Sequence, residues 1–226
     1  THPTSLFMWN KGPGYYFAGD GNNKEFNNSV RDIIAEYISP APDSYMIIHY
    51  TSGIWLDTIP DIINQRSLFN AHRCFFGIDS FNIPNWKNEL PDGFSIVRID
   101  IELLANEALE NLNYVTDEIT FMWPSVDRFL KKSFGFCALT DNKIVSWCTG
   151  EYVYGSHIGI GIETIAEYQH KNLATLTASA FVEHCNNNGI KAHWDCWKRN
   201  TASIKTAEKV GFKQVLDYNV LWAEVS

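Results

Sequence analysis

The chain is read as an α/β fold (α+β, with a mixed sheet), a small α/β region preceding a larger one. Three observations predict it. Segments with the two-residue period of strands alternate with segments of helical period along the 226 residues. One stretch, Ile162-Glu163-Thr164-Ile165-Ala166-Glu167-Tyr168-Gln169-His170-Lys171-Asn172-Leu173-Ala174-Thr175, reads as strand, tight loop and helix, the arrangement that turns backbone N–H groups toward a phosphate. The composition, 45% hydrophobic and 19% charged, is that of a globular protein, and 14% aromatic residues promise a filled core.

Residues 1–91 are read as the small α/β region. Tyr15-Tyr16-Phe17-Ala18 forms a strand, and Gly19-Asp20-Gly21-Asn22-Asn23 is turn chemistry. Val30, Ile33, Ile34, Tyr37 and Ile38 repeat at helical spacing, and Pro40 and Pro42 stop that helix. Tyr45–Tyr50 is strand-like. Ile54, Ile59, Ile62 and Ile63 mark a second helix interrupted near Pro60, and Arg73–Ile78 one more strand. Pro84 and Pro91-Asp92-Gly93 set the boundary.

From residue 92 to 226 the pattern is sharper. Phe94–Ile99 is a strand and Glu102–Glu110 a helix; Val126–Lys131 is a short helix that Ser125 can cap. Gly135–Leu139 and Ile144–Thr149 flank Asp141-Asn142-Lys143, a hairpin turn. His157–Thr164 is a strand. Lys171–Asn187 is a long helix with Leu173, Leu176, Thr177, Ala180, Phe181 and His184 on one face, ended by Asn188-Gly189. Ala192–Trp197 is a strand, Ala202–Val210 a helix closed by Gly211, and Phe212–Asp217 and Val220–Ala223 are two last strands. The order is β-α-α-β-β-β-α-β-α-β-β.

Charge and cysteine usage narrow the function classes. The net charge is −8, and both portions of the chain are acidic. That argues against nucleic acid as a partner and favours a cationic ligand such as an amine. No run reaches the ~18 apolar residues of a membrane span, so no membrane partner is expected. The opening Thr1-His2-Pro3-Thr4 carries no secretory-signal pattern. Cys74, Cys137, Cys148, Cys185 and Cys196 are odd in number, widely spaced and set in apolar runs. They read as core residues in a reducing compartment, the cytoplasm, rather than as a disulfide framework or a metal site.

The loop after the 157–164 strand, together with Asn200-Thr201-Ala202-Ser203 and Ala207-Glu208-Lys209-Val210-Gly211-Phe212, resembles the GNAT superfamily of acetyl-CoA-dependent N-acetyltransferases. The element order of the last 135 or so residues matches the GNAT core, and the first 91 fit an N-terminal extension. That extension is similar to one in the branch resembling zwittermicin-resistance-type acetyltransferases. The family's loop reads Arg or Gln, two residues, Gly, one residue, Gly or Ala. Here it is Gln169, His170, Lys171, Asn172, Leu173, Ala174. Asn172 stands where the family has glycine and is expected at positive φ, which Asn tolerates best after Gly. The resemblance implies pyrophosphate on residues 169–174, pantetheine along the backbone of Ile162, Glu163 and Thr164, and contacts from Asn200 and Ser203. Asn200 is also a ready helix cap. The implied cofactor is acetyl-CoA as co-substrate, with no metal.

The chemistry needs a base for an ammonium and a donor for an oxyanion. The tyrosine acid that many family members carry is replaced by Ala207; Tyr154, Tyr168 and Tyr218 are substitutes better read as structural. Candidate bases are Glu163, His157 and Glu151. His157, Gly159, Gly161 and Glu163 share one strand face, and two glycines leave room there. Cys196, in Trp194-Asp195-Cys196-Trp197, and His184 read as packing residues. The implied reaction is acetyl transfer to the amine of a small molecule, an antibiotic or amino metabolite, by direct attack in a ternary complex. The alternative is a catalytically weak or inactive CoA-binding sensor or scaffold, for which Asn172 and Ala207 speak. A homodimer is compatible with either.

Overall fold

A computed structural model describes residues 2–37, 45–63 and 67–224. In chain order these form β1 (Ser5–Trp9), β2 (Gly14–Gly19), α1 (Lys24–Tyr37), β3 (Tyr45–Tyr50), α2 (Ile54–Ile63), β4 (Leu68–Ile78), β5 (Ser95–Arg98), α3 (Ile101–Leu104), α4 (Leu112–Met122), α5 (Val126–Lys132), β6 (Gly135–Thr140), β7 (Lys143–Tyr154), β8 (His157–Thr164), α6 (Leu173–Asn187), β9 (Lys191–Trp197), α7 (Thr201–Val210) and β10 (Phe212–Glu224). Short 3₁₀ turns occupy Trp86–Glu89 and Ala166–Tyr168. The mixed α/β architecture read from the sequence is the one observed. Ile38 and the Pro40 and Pro42 stop lie outside the described residues.

The chain divides into two compact units, one of residues 1–73 with 218–226, the other of residues 74–217. The division differs from the 91/92 boundary read in the sequence. Trp86 and the residues around it pack on Leu176 and Ala180 of α6, which draws residues 74–91 into the second unit. In the first unit β1 pairs antiparallel with β2, β2 parallel with β3, and β3 antiparallel with the end of β10. Alternate residues Tyr15, Phe17, Met46, Ile48, Leu221 and Ala223 meet Val30 and Ile34 of α1 and Trp55, Ile59 and Ile62 of α2. The helix continues through Pro60, the seventh of its ten residues, although Pro has no N–H to donate to the Leu56 carbonyl.

In the second unit the order β4-β9-β8-β7-β6-β5 sets β8 between an antiparallel neighbour, β7, and a parallel one, β9. One face of that sheet is covered by α6, whose Ala178, Phe181 and Val182 pack on Cys148, Ile158 and Ile160, with Phe134 stacked on Phe181 at 4.4 Å. The other face is covered by α4 and α5, through Val115, Ile119 and Phe129 against Cys137 and Trp147. α6 is buried nearly all round, because the Trp86 segment covers its far side.

Several elements differ from the sequence reading. The 102–110 helix is only α3: Asp100 accepts from the Leu103 N–H to start it, but the Asn106 side chain then accepts the Ala108 N–H, and Asn111 goes left-handed at φ 67°. A separate helix, α4, follows. The long helix begins at Leu173 rather than Lys171, since His170 and Asn172 both have positive φ. The last two strands are one, β10. The hairpin turn is as read, with Asp141 and Asn142 at φ 47° and 60° between paired Thr140 and Lys143. All five cysteines are buried free thiols. Among the described residues, no helix is long and apolar enough to cross a membrane, and no cluster of three or more His, Cys, Asp or Glu could hold a metal.

Candidate active site

The site begins where two strands part. β8 and β9 are paired only at His157–Lys191, Ile158–Ala192 and Gly159–His193. Beyond Gly159, β8 keeps its ladder with β7 as far as Thr164 but turns its other edge to a groove. That groove, of about 930 Å³, runs from the end of β8 to the N-termini of α6 and α7. Ile162, Glu163, Thr164, Gln169, His170, Asn172, Leu173, Ala174, Asn200 and Ser203, all singled out in the sequence, line it. Lys171 instead sets its ammonium 5.7 Å from the Phe94 ring and 5.2 Å from the Tyr168 ring.

Local chemistry shapes the α6 end. Asn172 is the cap residue at φ 64°, as expected of it, yet its side chain caps nothing and its Oδ1 is buried without a hydrogen-bond partner. The first-turn amides of Leu173, Ala174 and Thr175 have no acceptor within the helix. Gln169 reaches back to donate to the Thr164 carbonyl at 3.4 Å, tying the loop to its strand. At α7 the capping role is explicit: Asn200 Oδ1 accepts from the Ser203 N–H at 3.1 Å, and Ser203 Oγ accepts from Trp194 Nε1 at 2.9 Å. Lys205 and Lys209, one turn apart on α7, add positive charge to the groove. Sequence reasoning passed over them; their i, i+4 spacing behind the Asn200 cap was the available signal. Uncapped amides, a helix dipole and two ammonium groups suit an anionic ligand.

The proposed bases are distributed unevenly. Glu163 is exposed on the groove wall. His157 is at the opposite end of β8, about 20 Å away for six extended residues. Its Nδ1 lies 2.5 Å from His193 Nε2, with the rings near coplanar (7°) and centroids 4.8 Å apart, an edge-to-edge hydrogen bond rather than a face stack. Burial, His157 and Lys191 together hold the His193 imidazole below the usual histidine range. Glu151 belongs to the bulge in β7 between Gly150 and Tyr152. A Cβ at Gly161 would collide with its carboxylate and would meet Glu118 Oε1 at 2.8 Å. That close approach is why residue 161 is glycine.

Glu118, on α4, was not among the residues read from the sequence. Its Oε2 accepts from Trp147 Nε1 at 2.5 Å and its Oε1 from Thr149 Oγ1 at 2.7 Å. Burial pushes its carboxyl above the usual range, the Glu163 charge adds to the shift, and the two hydrogen bonds oppose it. No sequence signal singles it out, because α4 itself was unread.

The remaining candidates have structural surroundings. Ala207 is fully buried in the core. Tyr168 lines the groove, Tyr154 is exposed at the end of β7, and Tyr218 belongs to the first unit beside His49. Cys196 is buried among the core side chains against α6 and α7, and His184 packs on Phe134 at 4.4 Å.

Comparison with known proteins bears on the family and the fold. A family model described as GNAT acetyltransferase matches residues 1–221. The uncharacterized N-acetyltransferase YdfB of Bacillus subtilis (strain 168) is 30% identical over 225 residues, 99% of this chain and 82% of the relative. Among solved structures, a GCN5-related N-acetyltransferase-like protein from Streptococcus suis 89/1591 superposes with a TM-score of 0.74 at 19% identity, covering 99% of this chain and 85% of its own. A GCN5-related N-acetyltransferase from Kribbella flavida gives 0.62 at 8% identity, covering 99% and 90%.

Proposed function

The chain belongs to the GNAT acetyltransferase family, and on that premise we propose that it transfers an acetyl group from acetyl-CoA to the amine of a small molecule by direct attack in a ternary complex. The observation that carries the reading is the parting of β8 from β9 into a groove that ends on the uncapped N-terminus of α6. The residues present fit the ligand. The amides of Leu173, Ala174 and Thr175 and the dipole of α6 would hold the pyrophosphate, with Lys205 and Lys209 close to its charge. The edge of Ile162, Glu163 and Thr164 that has no strand beside it would hold the pantetheine amides as a strand is held, and the Asn200 amide and Ser203 would meet the same arm.

Acetyl-CoA supplies an acetyl thioester, whose carbon–sulfur bond breaks, the electron pair leaving with sulfur, as the carbon–nitrogen bond forms. The protein's part is to orient the amine, exclude water and take up its proton. That proton falls to the carboxylates gathered about Gly161 rather than to His157, which is paired with His193 at the far end of the strand. We place the activity in a reducing, cytoplasmic setting, supported by the five free thiols. A CoA-binding protein without turnover is the second reading, favoured by the burial of Ala207 where many relatives carry an acid. Calorimetric titration with acetyl-CoA, run beside a thiol-release assay over an amine panel, separates the two. Binding with amine-dependent release supports the enzyme. Binding without release supports the second reading, and no binding refutes both.

A further inference from the structure

The geometry points to Glu118 as the catalytic residue that receives the proton of the acceptor's ammonium group, and to an acceptor that arrives as a cation on the α4 side of β8. The inference rests on the acetyltransferase reading and names a residue within its site.

Two carboxylates, Glu151 and Glu118, close on Gly161, with Glu163 two residues further along β8, and the three are not equivalent. Glu163 is exposed on β8. Glu151 projects from a β-bulge. Glu118 alone comes from a helix across the sheet face, and each of its oxygens is fixed by a donor from β7, Trp147 Nε1 on Oε2 and Thr149 Oγ1 on Oε1. Two donors set the plane of the carboxylate and leave a lone pair on each oxygen for a further partner. Its Oε1 lies 2.8 Å from the position of a Gly161 Cβ, two residues before the groove-lining Glu163. A base must be held in one orientation close to the proton it takes, and the bonds from Trp147 and Thr149 hold Glu118 that way.

Charge sets the direction. Burial and the Glu163 carboxylate push the Glu118 carboxyl upward against the pull of its two hydrogen bonds. The titratable groups facing it are Glu163 on β8 and Glu151 on β7. The raised value makes Glu118 a stronger base than an ordinary glutamate near neutral pH, and the surrounding acidity attracts a protonated amine over a neutral alcohol. The transfer balances: one ammonium proton passes to the Glu118 carboxylate and from there to solvent, the freed electron pair on nitrogen forms the carbon–nitrogen bond, and the second proton that the nitrogen loses on becoming an amide ends on the departing sulfur as the thiol.

The test uses the full chain with acetyl-CoA and the amine panel. Glu118→Gln keeps the local bonds, since the amide oxygen accepts from Trp147 and the amide nitrogen donates to Thr149, so the variant is expected to fold. Its acetyl-CoA affinity should match the wild type within about twofold while kcat/KM falls roughly 10²-fold. The wild type should show an acid limb in kcat/KM above the ordinary glutamate value of about 4.3, and E118Q should lack it. Thr149→Val removes a bond that favours the charged form, so it should move the limb to higher pH; Glu163→Gln removes a repelling charge and should move it lower. A purely structural Glu118 would move neither limb. Turnover that survives E118Q with the limb intact overturns the assignment alone. Absence of thiol release by the wild type with every amine overturns the acetyltransferase reading, and this assignment with it.

Discussion

Asn172→Gly is the sharpest probe of the phosphate end of the groove, because its effect can be worked out before any ligand is added. Asn172 holds φ 64° and buries an Oδ1 with no partner. Glycine relieves the left-handed strain, about 0.5–1 kcal/mol for a tolerant residue such as Asn. Removing the orphaned acceptor returns about 1 kcal/mol or more. Against these stands about 0.4–1 kcal/mol of added freedom in the unfolded chain. The net expectation is a gain of about 1 kcal/mol, or about 2–4 °C in Tm for a protein of this size. Asn172→Ala also removes the acceptor but must adopt φ above zero with a Cβ, at about 1 kcal/mol or more. The Gly variant should therefore melt above the Ala variant, by that cost less the added freedom of glycine in the unfolded chain. Calorimetric melts of the three proteins read the difference, and titration should show acetyl-CoA affinity kept or improved in N172G, whose backbone amides stay in place. A Gly variant no more stable than the Ala variant would show that residue 172 does not hold positive φ in solution, and the description of the loop would fail with it.

Three other outcomes follow from the same structure. Ala174→Trp fills the groove at the first turn of α6, so acetyl-CoA binding by calorimetry should vanish at unchanged far-UV circular dichroism; unchanged affinity would mean that the loop is not the phosphate site. Burial, with Arg73 beside it, holds His49 down at about 4 against an ordinary 6.5. The unfolded chain thus takes up a proton first on acidification, and stability should be lost as pH falls from about 6.5 toward 4, by at most about 3 kcal/mol, with a flatter urea-midpoint profile in His49→Phe. His157→Ala should leave the acid limb of kcat/KM where it is, since its ring is bonded to His193 away from the groove; loss of the limb would return His157 to the role of base.

What was legible in the sequence was what local rules decide. The 141–142 turn, the Gly211 closure of α7 and the left-handed Asn172 each follow from one residue's conformational range, and each is found. The strand–loop–helix at 162–175 follows from periodicity, which survives tertiary packing when both neighbours agree with it. The failures occur where side chains compete with the backbone. Asn106 and Asn111 break what reads as a single helix from 102 to 110, and the break creates α4, the element that carries Glu118. The glycine pair at 159 and 161 reads as room for a ligand, but the structure sets the Tyr152 ring against Gly159 and the Glu151 and Glu118 carboxylates against Gly161. Glu118 could not be read from that spacing, because it comes from a helix whose packing on β7 is set by Val115, Ile119 and Trp147, residues with no spacing relation to β8. A base delivered across a sheet face leaves its mark on the residue it approaches, not on its own neighbours in the chain. Gly161, rather than any acidic residue in the strand, is therefore the position from which the carboxylate could have been sought.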